Sequence, residues 1–496
     1  MAKFVDEHLD PTAEITLETV KTRAINGVAV LTGRTFILSL ISLVATGLLG
    51  AFLSESQFGI FFIVSAIVNF LAYFSDVGLA ASLIQKKEKI SEDDLKTTFT
   101  IQQGLVIILL IILFLLTPFF EKFYSLSYDG KLLLYALGIS LILSSLKTIP
   151  SVLLERELNF PKLVIPQVVE SICYQLVAVF FAWRGFGIRS FTFAVLARGV
   201  VGLIAIYIIR PWVPGFAFSK KSLKKLLSFG LPYQVNTFLA TIKDDGMTAF
   251  LGGILGTAGL GVLGWAQKWA YYPLRLFMDH VLKVTFPAFS RMQDEREHLA
   301  RSVTRSIFFV CFLVFPTVSG LLVLAPLLIA IIPRYGKWEP ALVPLTLISV
   351  NTIFAAATTQ LTNLFNAIGK IKITFKLMVM WTALTWLLVP YLAIRYGVNG
   401  AALGYALVGI SSVIPIYIAR RFVKFSLHDA VIKPALATGV MFTLILIIRN
   451  FLPVNLLSVV IIGVVGAITY FISSYLIFGS SIIADVKKVA KNFSSK

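Results

Sequence analysis

The chain is a succession of apolar segments, each long enough to cross a bilayer, separated by short polar turns. A helix needs about 20 mostly apolar residues to span the hydrocarbon core, and fourteen segments of the 496-residue chain reach that length. Their approximate bounds are 24–53, 57–84, 97–118, 131–154, 163–183, 187–210, 226–251, 257–286, 303–333, 340–368, 372–394, 398–423, 431–450 and 454–478. The loops between them are too short to hold a soluble domain. The sequence therefore predicts an all-α polytopic membrane protein with about 14 transmembrane helices.

Composition excludes several classes of protein. Only 14% of the residues are charged, whereas soluble domains carry roughly 25%. The two cysteines, Cys173 and Cys311, lie in apolar segments and the four histidines are scattered, so we expect no disulfide framework, no metal site and no cofactor. The net charge of +19 comes from basic residues between the apolar segments. We therefore expect these bases to contact anionic membrane lipids, and we expect no nucleic acid partner.

The basic residues are distributed unequally between the two sides of the membrane. The termini and the loops on their side hold roughly 29 Lys and Arg residues, and the opposite loops hold roughly 8. Cytoplasmic loops carry the excess, so both termini are predicted to be cytoplasmic. Seven bases remain within the segments: Arg34, Lys147, Arg198, Lys243, Lys268, Arg275 and Lys283. Lys147 and Lys283 lie near predicted cytoplasmic ends, where a long side chain can reach the headgroups.

The seventh and eighth segments carry charged stripes. Lys268 and Arg275 are seven residues apart and share one helix face, and Lys243 is followed by Asp244 and Asp245 on the preceding segment. A charge at the bilayer centre costs at least about 2.5–3.5 kcal/mol, so such residues face a polar interior or one another. The stripes indicate either a water-filled, ion-lined cavity or buried ion pairs that fix the register of the helices.

The chain also repeats internally. LGAFLSESQFG at 49–59 aligns without gaps on LGGILGTAGLG at 251–261, a shift of 202 residues, and GFGIRSFTFAVL at 185–196 aligns on RYGVNGAALGYAL near 395–407. Two copies of a six-helix unit with a cavity between them are therefore predicted, followed by two further helices. The predicted parts are an N-terminal arm 1–23, an N-lobe 24–210, a cytoplasmic linker 211–225, a C-lobe 226–424, two helices in 425–480 and a basic cytoplasmic tail 481–496.

Several stretches carry a resemblance to a known family. They are FSDVGLAASLIQKK (74–87), ERELNFPKL (155–163), LLSFGLPYQVN (226–236), FPAFSRMQDE (286–295), YGKWEPALVPLTLISV (335–350) and NAIGK (366–370). In this order, and with fourteen segments, the chain resembles bacterial Wzx-type polysaccharide flippases of the multidrug/oligosaccharidyl-lipid/polysaccharide exporter superfamily. The likeness is greatest to the branch that exports colanic and teichuronic acid.

This resemblance implies a two-lobed transporter in the bacterial cytoplasmic (inner) membrane. It would move an undecaprenyl-pyrophosphate-linked oligosaccharide from the cytoplasmic to the periplasmic leaflet by alternating access, coupled to a proton or sodium ion and working with polysaccharide polymerase machinery. In related lipid-linked precursor flippases, bases on helices 1, 2, 7 and 8 line the cavity. Arg34, Lys243, Lys268 and Arg275 match by helix and depth, whereas the second segment departs from the pattern because it holds no Lys or Arg.

We predict three sets of site residues. A pyrophosphate suits the forked guanidinium of arginine, and the predicted substrate-binding bases are Arg34, Arg198, Lys243, Lys268 and Arg275. Gly199 and Gly202 beside Arg198 also suit simple close packing of helices. The candidate coupling carboxylates are Asp244, Asp245, Glu170 and Asp76, and the first three alternatively neutralise a nearby base while Asp76 alternatively serves a helix end or a gate. The candidate sugar contacts are Asn236, Tyr272, Trp269 and Gln360, for which ordinary helix packing is the alternative.

Two other functions compete with the flippase. A multidrug or cation antiporter of the same superfamily would need an apolar or negative cavity, whereas the inner charges here are mostly positive. A membrane enzyme of polysaccharide assembly would need a sizeable extramembrane loop or an exposed acid–base cluster, and the sequence shows neither. We therefore expect a transporter and not an enzyme.

Overall fold

The computed structural model of the protein describes residues 17–86 and 88–479. These residues are almost entirely helical and contain no β-strand. The helices are α1 Leu17–Phe52, α2 Glu55–Ala72, α3 Leu79–Gln85, α4 Glu92–Tyr124, α5 Tyr128–Leu146, α6 Thr148–Arg156, α7 Phe160–Trp183, α8 Arg189–Ile209, α9 Lys220–Thr241, α10 Met247–Arg291, α11 Arg296–Ile331, α12 Leu342–Ala367, α13 Ile371–Ile410, α14 Val413–Phe422, α15 Lys433–Arg449 and α16 Leu456–Phe478. Within the described residues, 12 segments are long and apolar enough to cross a membrane. The predicted all-α membrane architecture is confirmed.

Two of these segments are much longer than a bilayer requires. Phe238–Met278 has 41 residues and Ile371–Phe422 has 52. Each is interrupted by a glycine with positive φ, Gly256 at 67° and Gly397 at 58°, a conformation that glycine adopts without steric cost. Both breaks lie at turns that the sequence predicts. The count of fourteen membrane crossings stays a prediction.

Two predicted continuous segments are broken in the structure. The segment predicted at 57–84 divides into α2 and α3, because Val77 and Gly78 adopt positive φ values of 49° and 74° between them. The segment predicted at 131–154 divides into α5 and α6 at Lys147. At the N-terminus, α1 already begins at Leu17 and so includes the last part of the predicted arm.

Helix starts follow from local side-chain chemistry. Ser54 caps α2 and exchanges hydrogen bonds with Gln57, and Ser91 caps α4 and exchanges them with Asp94. Each pair is a capping box, which satisfies backbone N–H groups that have no partner within the first helical turn. These boxes fix the first residues of two membrane-length helices immediately after their turns.

The helices form two compact units, Met1–Gly261 and Val262–Lys496. In the first unit, α7 packs against α1 and α8, and α5 packs against α8. A separate apolar core lies where α3, α4 and α6 meet the start of α9, around Leu83, Phe99, Ile149 and Leu226. The predicted lobe boundaries stay a prediction.

In the second unit, the main core joins α10, α11 and α12, with Phe289, Val310 and Phe365 among its buried residues. The last two helices, α15 and α16, pack together and against α11. Tyr470 of α16 donates a hydrogen bond of 2.7 Å to the carbonyl oxygen of Phe312.

The repeated segments 49–59 and 251–261 contact each other. A Cβ added to Gly59 would overlap the carbonyl oxygen of Thr257, and one added to Gly261 would overlap that of Glu55. A shift of 202 residues converts each of these contacts into the other, as a local twofold axis requires. The contact supports the repeat read from the sequence and shows why glycine stands at both positions.

Candidate functional site

The first unit contains a cavity of about 640 Å³ with a polar lining. Four charged residues face it from separate parts of the chain: Arg34 on α1, Lys147 at the junction of α5 and α6, Glu170 on α7 and Arg198 on α8. A second carboxylate, Glu155 on α6, lies on the same wall. Among the described residues, the lining thus combines three bases with two acids. The cavity lies within the first unit, and the cavity predicted between the two six-helix units stays a prediction.

Glu170 lies between two of the bases. Its Oε1 is 2.6 Å from the Lys147 Nζ, and its Oε2 is 3.6 Å from the Arg198 Nε. Glu170 is 8% exposed, whereas the Arg198 side chain is 59% exposed. Glu170 and Lys147 therefore form a close, buried ion pair, and Arg198 remains open to the cavity.

Arg34 is held differently. Its Nε is buried and has no hydrogen-bond partner among the residues that the structure describes. Burial of an unsatisfied charged donor is costly, so this guanidinium is suited to receive an anion.

The structure thus brings together three of the predicted site residues, Arg34, Arg198 and Glu170. It corrects the interpretation of Lys147, whose ammonium pairs with Glu170 instead of reaching towards the headgroups. No sequence signal identifies this pair, because it depends on how the α5–α6 junction packs against α7. Glu155 and the half-buried Tyr174 also line the cavity and were not predicted.

A second predicted group lies where α9 meets α10, at the π-helical turn Ile242–Gly246. The Lys243 Nζ donates a hydrogen bond of 2.6 Å to the Asp244 Oδ1. The Asp245 carboxylate accepts a hydrogen bond from the Asn69 side chain of α2. Asp244 therefore neutralises Lys243, one of the two alternatives that the sequence left open.

Asp76 lies outside the helices, in the turn before α3. Its carboxylate oxygens each lie 3.2 Å from the backbone nitrogen of Ala80, which donates to them. Burial raises the pKa of the Asp76 carboxyl, although backbone N–H groups of Ala80 and Gly78 oppose the shift. These contacts favour a role at the helix end.

The remaining predicted residues divide by exposure. Lys268 and Arg275 are both exposed on α10 in the second unit. Trp269 is half-buried against Trp265, with ring centroids 5.8 Å apart, and Tyr272 is half-buried. The Asn236 side chain lies outside the described side chains.

Gln360 is fully buried in the second unit. Its Oε1 accepts a hydrogen bond of 3.1 Å from the Thr285 hydroxyl, and its Nε2 lies 3.3 Å from the Met278 sulfur. These internal contacts favour the packing alternative over a sugar contact. Within the described chain, no cluster of His, Cys, Asp and Glu residues has the geometry to hold a metal ion.

Membrane-length helices that enclose a cavity lined by several bases are the arrangement expected of a membrane transporter. Residues 48–344 match the family described as "Polysaccharide biosynthesis protein", and the chain belongs to this family.

Two named proteins are similar in sequence to this chain. The chain is 25% identical over 385 residues to the lipopolysaccharide biosynthesis protein WzxC of Escherichia coli (strain K12), covering 76% of each chain. It is 24% identical over 284 residues to the succinoglycan biosynthesis transport protein ExoT of Rhizobium meliloti (strain 1021), covering 57% of each.

Solved structures share the fold. The lipid II flippase MurJ in an inward closed conformation matches with a TM-score of 0.75 and 17% identity, over 91% of this chain and 99% of that chain. An inward-facing multidrug resistance transporter of the MATE family in the MOP superfamily matches with a TM-score of 0.63 and 17% identity, over 78% and 94%. The predicted resemblance to polysaccharide biosynthesis proteins is confirmed by the family match, and these two structures show that the fold is shared.

Proposed function

We propose that the protein is a flippase that moves an undecaprenyl-pyrophosphate-linked oligosaccharide repeat unit from the cytoplasmic to the periplasmic leaflet by alternating access. Membership of the polysaccharide biosynthesis family supports a role in the assembly of a polysaccharide. The two named relatives act in lipopolysaccharide and succinoglycan biosynthesis. The protein works in the bacterial inner membrane with both termini in the cytoplasm, and it delivers its cargo to the polymerase machinery.

The cavity of the first unit is the observation that carries this proposal. A pyrophosphate diester has two negative charges, and guanidinium groups bind phosphate oxygens through paired N–H donors. Arg34 has an unsatisfied buried Nε, and Arg198 is only loosely held by Glu170. In this proposal these two arginines of the first unit bind the headgroup.

The multidrug antiporter is the second candidate, because a multidrug transporter has a similar fold. Organic cations require a cavity that is apolar or negative. Among the residues that the structure describes, the lining holds three bases, Arg34, Lys147 and Arg198, against two acids, Glu155 and Glu170. The excess of positive charge favours an anionic cargo over a cationic drug.

The proposed function is tested in a strain that lacks this gene, by mass spectrometry of lipid-linked intermediates in its inner membrane. We expect a single undecaprenyl-pyrophosphate-linked repeat unit to accumulate, because the earlier assembly steps continue while the unit cannot cross. As a control, the accumulated repeat unit should disappear when the protein is expressed again in this strain. Absence of any such intermediate, together with altered resistance to cationic drugs, would favour the antiporter.

For coupling to an ion gradient, we propose Asp245 as the carboxylate that takes up a proton. Glu170 and Asp244 are already paired with lysines, and Asp76 binds a helix end. Asp245→Asn should therefore remove the dependence of flipping on a proton gradient in proteoliposomes. Wild-type flipping that continues unchanged after the gradient is collapsed would refute coupling.

A further inference from the structure

Glu170 is placed in its cavity by the shape of the neighbouring helix as well as by charge. A Cβ added to Gly202 of α8 would overlap the Glu170 carboxylate. The α7 and α8 helices pack along their length, so only a residue without a side chain leaves room for this carboxylate between them. The glycine therefore directs Glu170 towards Lys147 and Arg198.

The two contacts of Glu170 differ in strength. The 2.6 Å contact with Lys147 is a short, charge-assisted hydrogen bond, whereas the 3.6 Å contact with Arg198 is longer than a hydrogen bond. Breaking the longer contact leaves Glu170 paired with Lys147, so no buried carboxylate is left without a partner. Arg198 can therefore exchange the Glu170 carboxylate for another anion at a low cost in free energy.

We infer that this cavity is a phosphate-ester binding site in which Glu170 is a built-in competitor that the incoming phosphate displaces from Arg198. The phosphate then binds between the guanidinium groups of Arg198 and Arg34, the two arginines that line the same cavity. The inference deepens the proposed function and rests on it for the identity of the anion as the pyrophosphate of a lipid carrier.

Competition by Glu170 has a functional consequence. A site in a translocation path must bind strongly enough to capture its cargo and weakly enough to release it. When the phosphate leaves, Glu170 is already in place to accept Arg198 again. The carboxylate therefore sets the affinity of the site and favours release.

The test measures binding to the purified full-length chain in lipid nanodiscs. The probes are geranylgeranyl pyrophosphate, inorganic pyrophosphate and, as a lipid without phosphate, geranylgeraniol. We expect Glu170→Gln to bind geranylgeranyl pyrophosphate about tenfold more tightly than wild type, because the phosphate no longer competes with a like-charged carboxylate for Arg198. Arg198→Gln should weaken binding, and adding it to Glu170→Gln should cancel the gain.

A matched control and a second variant keep the test decisive. Glu157 is also a largely buried carboxylate in an ion pair, 2.8 Å from Arg210, but it does not line the cavity, so Glu157→Gln should leave affinity unchanged. The double variant Lys147→Gln/Glu170→Gln removes the competitor without leaving the lysine unpaired. If neither Glu170→Gln nor this double variant binds more tightly than wild type, the inference is wrong.

The probes separate this inference from the proposed function. Tighter binding of geranylgeranyl pyrophosphate alone supports a lipid-linked anion. If Glu170→Gln also binds inorganic pyrophosphate more tightly than wild type does, and with the same affinity as the lipid pyrophosphate, the phosphate site is supported. Its ligand would then be a soluble phosphate. Failure of the binding test, with accumulation of the lipid-linked unit in the deletion strain, would overturn the site and leave the flippase intact.

Discussion

Replacing both Arg34 and Arg198 by alanine is expected to abolish export of the repeat unit, while the protein still inserts into the membrane. The two guanidinium groups line one cavity in the first unit. A hydrogen bond to a charged group contributes about 1.5–3 kcal/mol, so each arginine should account for roughly a tenfold to hundredfold loss. The measurement is the ratio of lipid-linked repeat unit in the inner membrane to polysaccharide at the cell surface.

Two further variants make this expectation specific. Arg34→Lys keeps the positive charge but loses the forked donors, and it should lie between wild type and Arg34→Ala. Arg189 forms an ion pair with Asp129, 2.8 Å apart, in which both side chains are partly exposed to solvent, and such surface pairs contribute little. Arg189→Ala should therefore export normally. Wild-type export by the correctly inserted Arg34→Ala/Arg198→Ala protein would contradict the site.

The helical architecture could be predicted from the sequence because hydropathy and length alone specify membrane-spanning helices. The same signal found the breaks at Gly256 and Gly397, since a glycine between two apolar runs marks a turn. It did not find the division between α2 and α3, because Ser75 and Asp76 are only a short polar interruption between two apolar stretches. Positive φ at Val77 is a tertiary effect that no local pattern reveals.

The internal repeat is the long-range feature that the sequence revealed best. A shift of 202 residues places Gly59 on Gly261, and the structure brings these two segments into reciprocal contact. The repeat was readable because close backbone approach demands glycine at equivalent positions of both copies. Where the packing does not demand a particular residue, the copies share too little sequence to align.

The site was predicted only in part, and the reason is physical. Arg34, Arg198 and Glu170 stood out because charges are costly within apolar helices. Which base pairs with which acid depends on how the helices pack, so the partner of Lys147 could not be read from the chain. The same limit applies to Gln360, whose contacts with Thr285 and Met278 depend on the packing of α10 against α12.

The contact between α3 and α9 is the second feature on which we expect transport to depend. A Cβ added to Gly230 would lie 2.8 Å from the carbonyl oxygen of Gly78. Beside this contact, the Ser82 hydroxyl donates a hydrogen bond of 2.6 Å to the carbonyl oxygen of Leu226. The contact lies on the side predicted to face the cytoplasm, where an alternating-access transporter must open to admit its cargo and then close.

An ion pair at the edge of this contact is insensitive to pH near neutrality. The Lys225 ammonium donates a hydrogen bond to the Glu88 carboxylate. This hydrogen bond holds the pKa of the Glu88 carboxyl below its usual range. Because its pKa is lowered by the contact, ionised Glu88 stabilises the contact at all pH values above the usual pKa of a glutamate. This stabilisation is lost only when the pH falls below that usual value and through the lowered pKa. Opening of the contact near pH 7 must therefore have another cause than protonation of Glu88.

Gly230→Val should reduce export at least tenfold, because its side chain would overlap the backbone at Gly78 and prevent the contact from closing. The open form lacks this overlap, so the variant should still insert and should accumulate the lipid-linked unit. Gly104 of α4 has open space around its Cα, which makes Gly104→Val the matched control with expected normal export. Thermal unfolding of both purified variants distinguishes a blocked contact from a misfolded chain. If Gly230→Val exports as well as Gly104→Val, closure of the α3–α9 contact is not a step of the transport cycle.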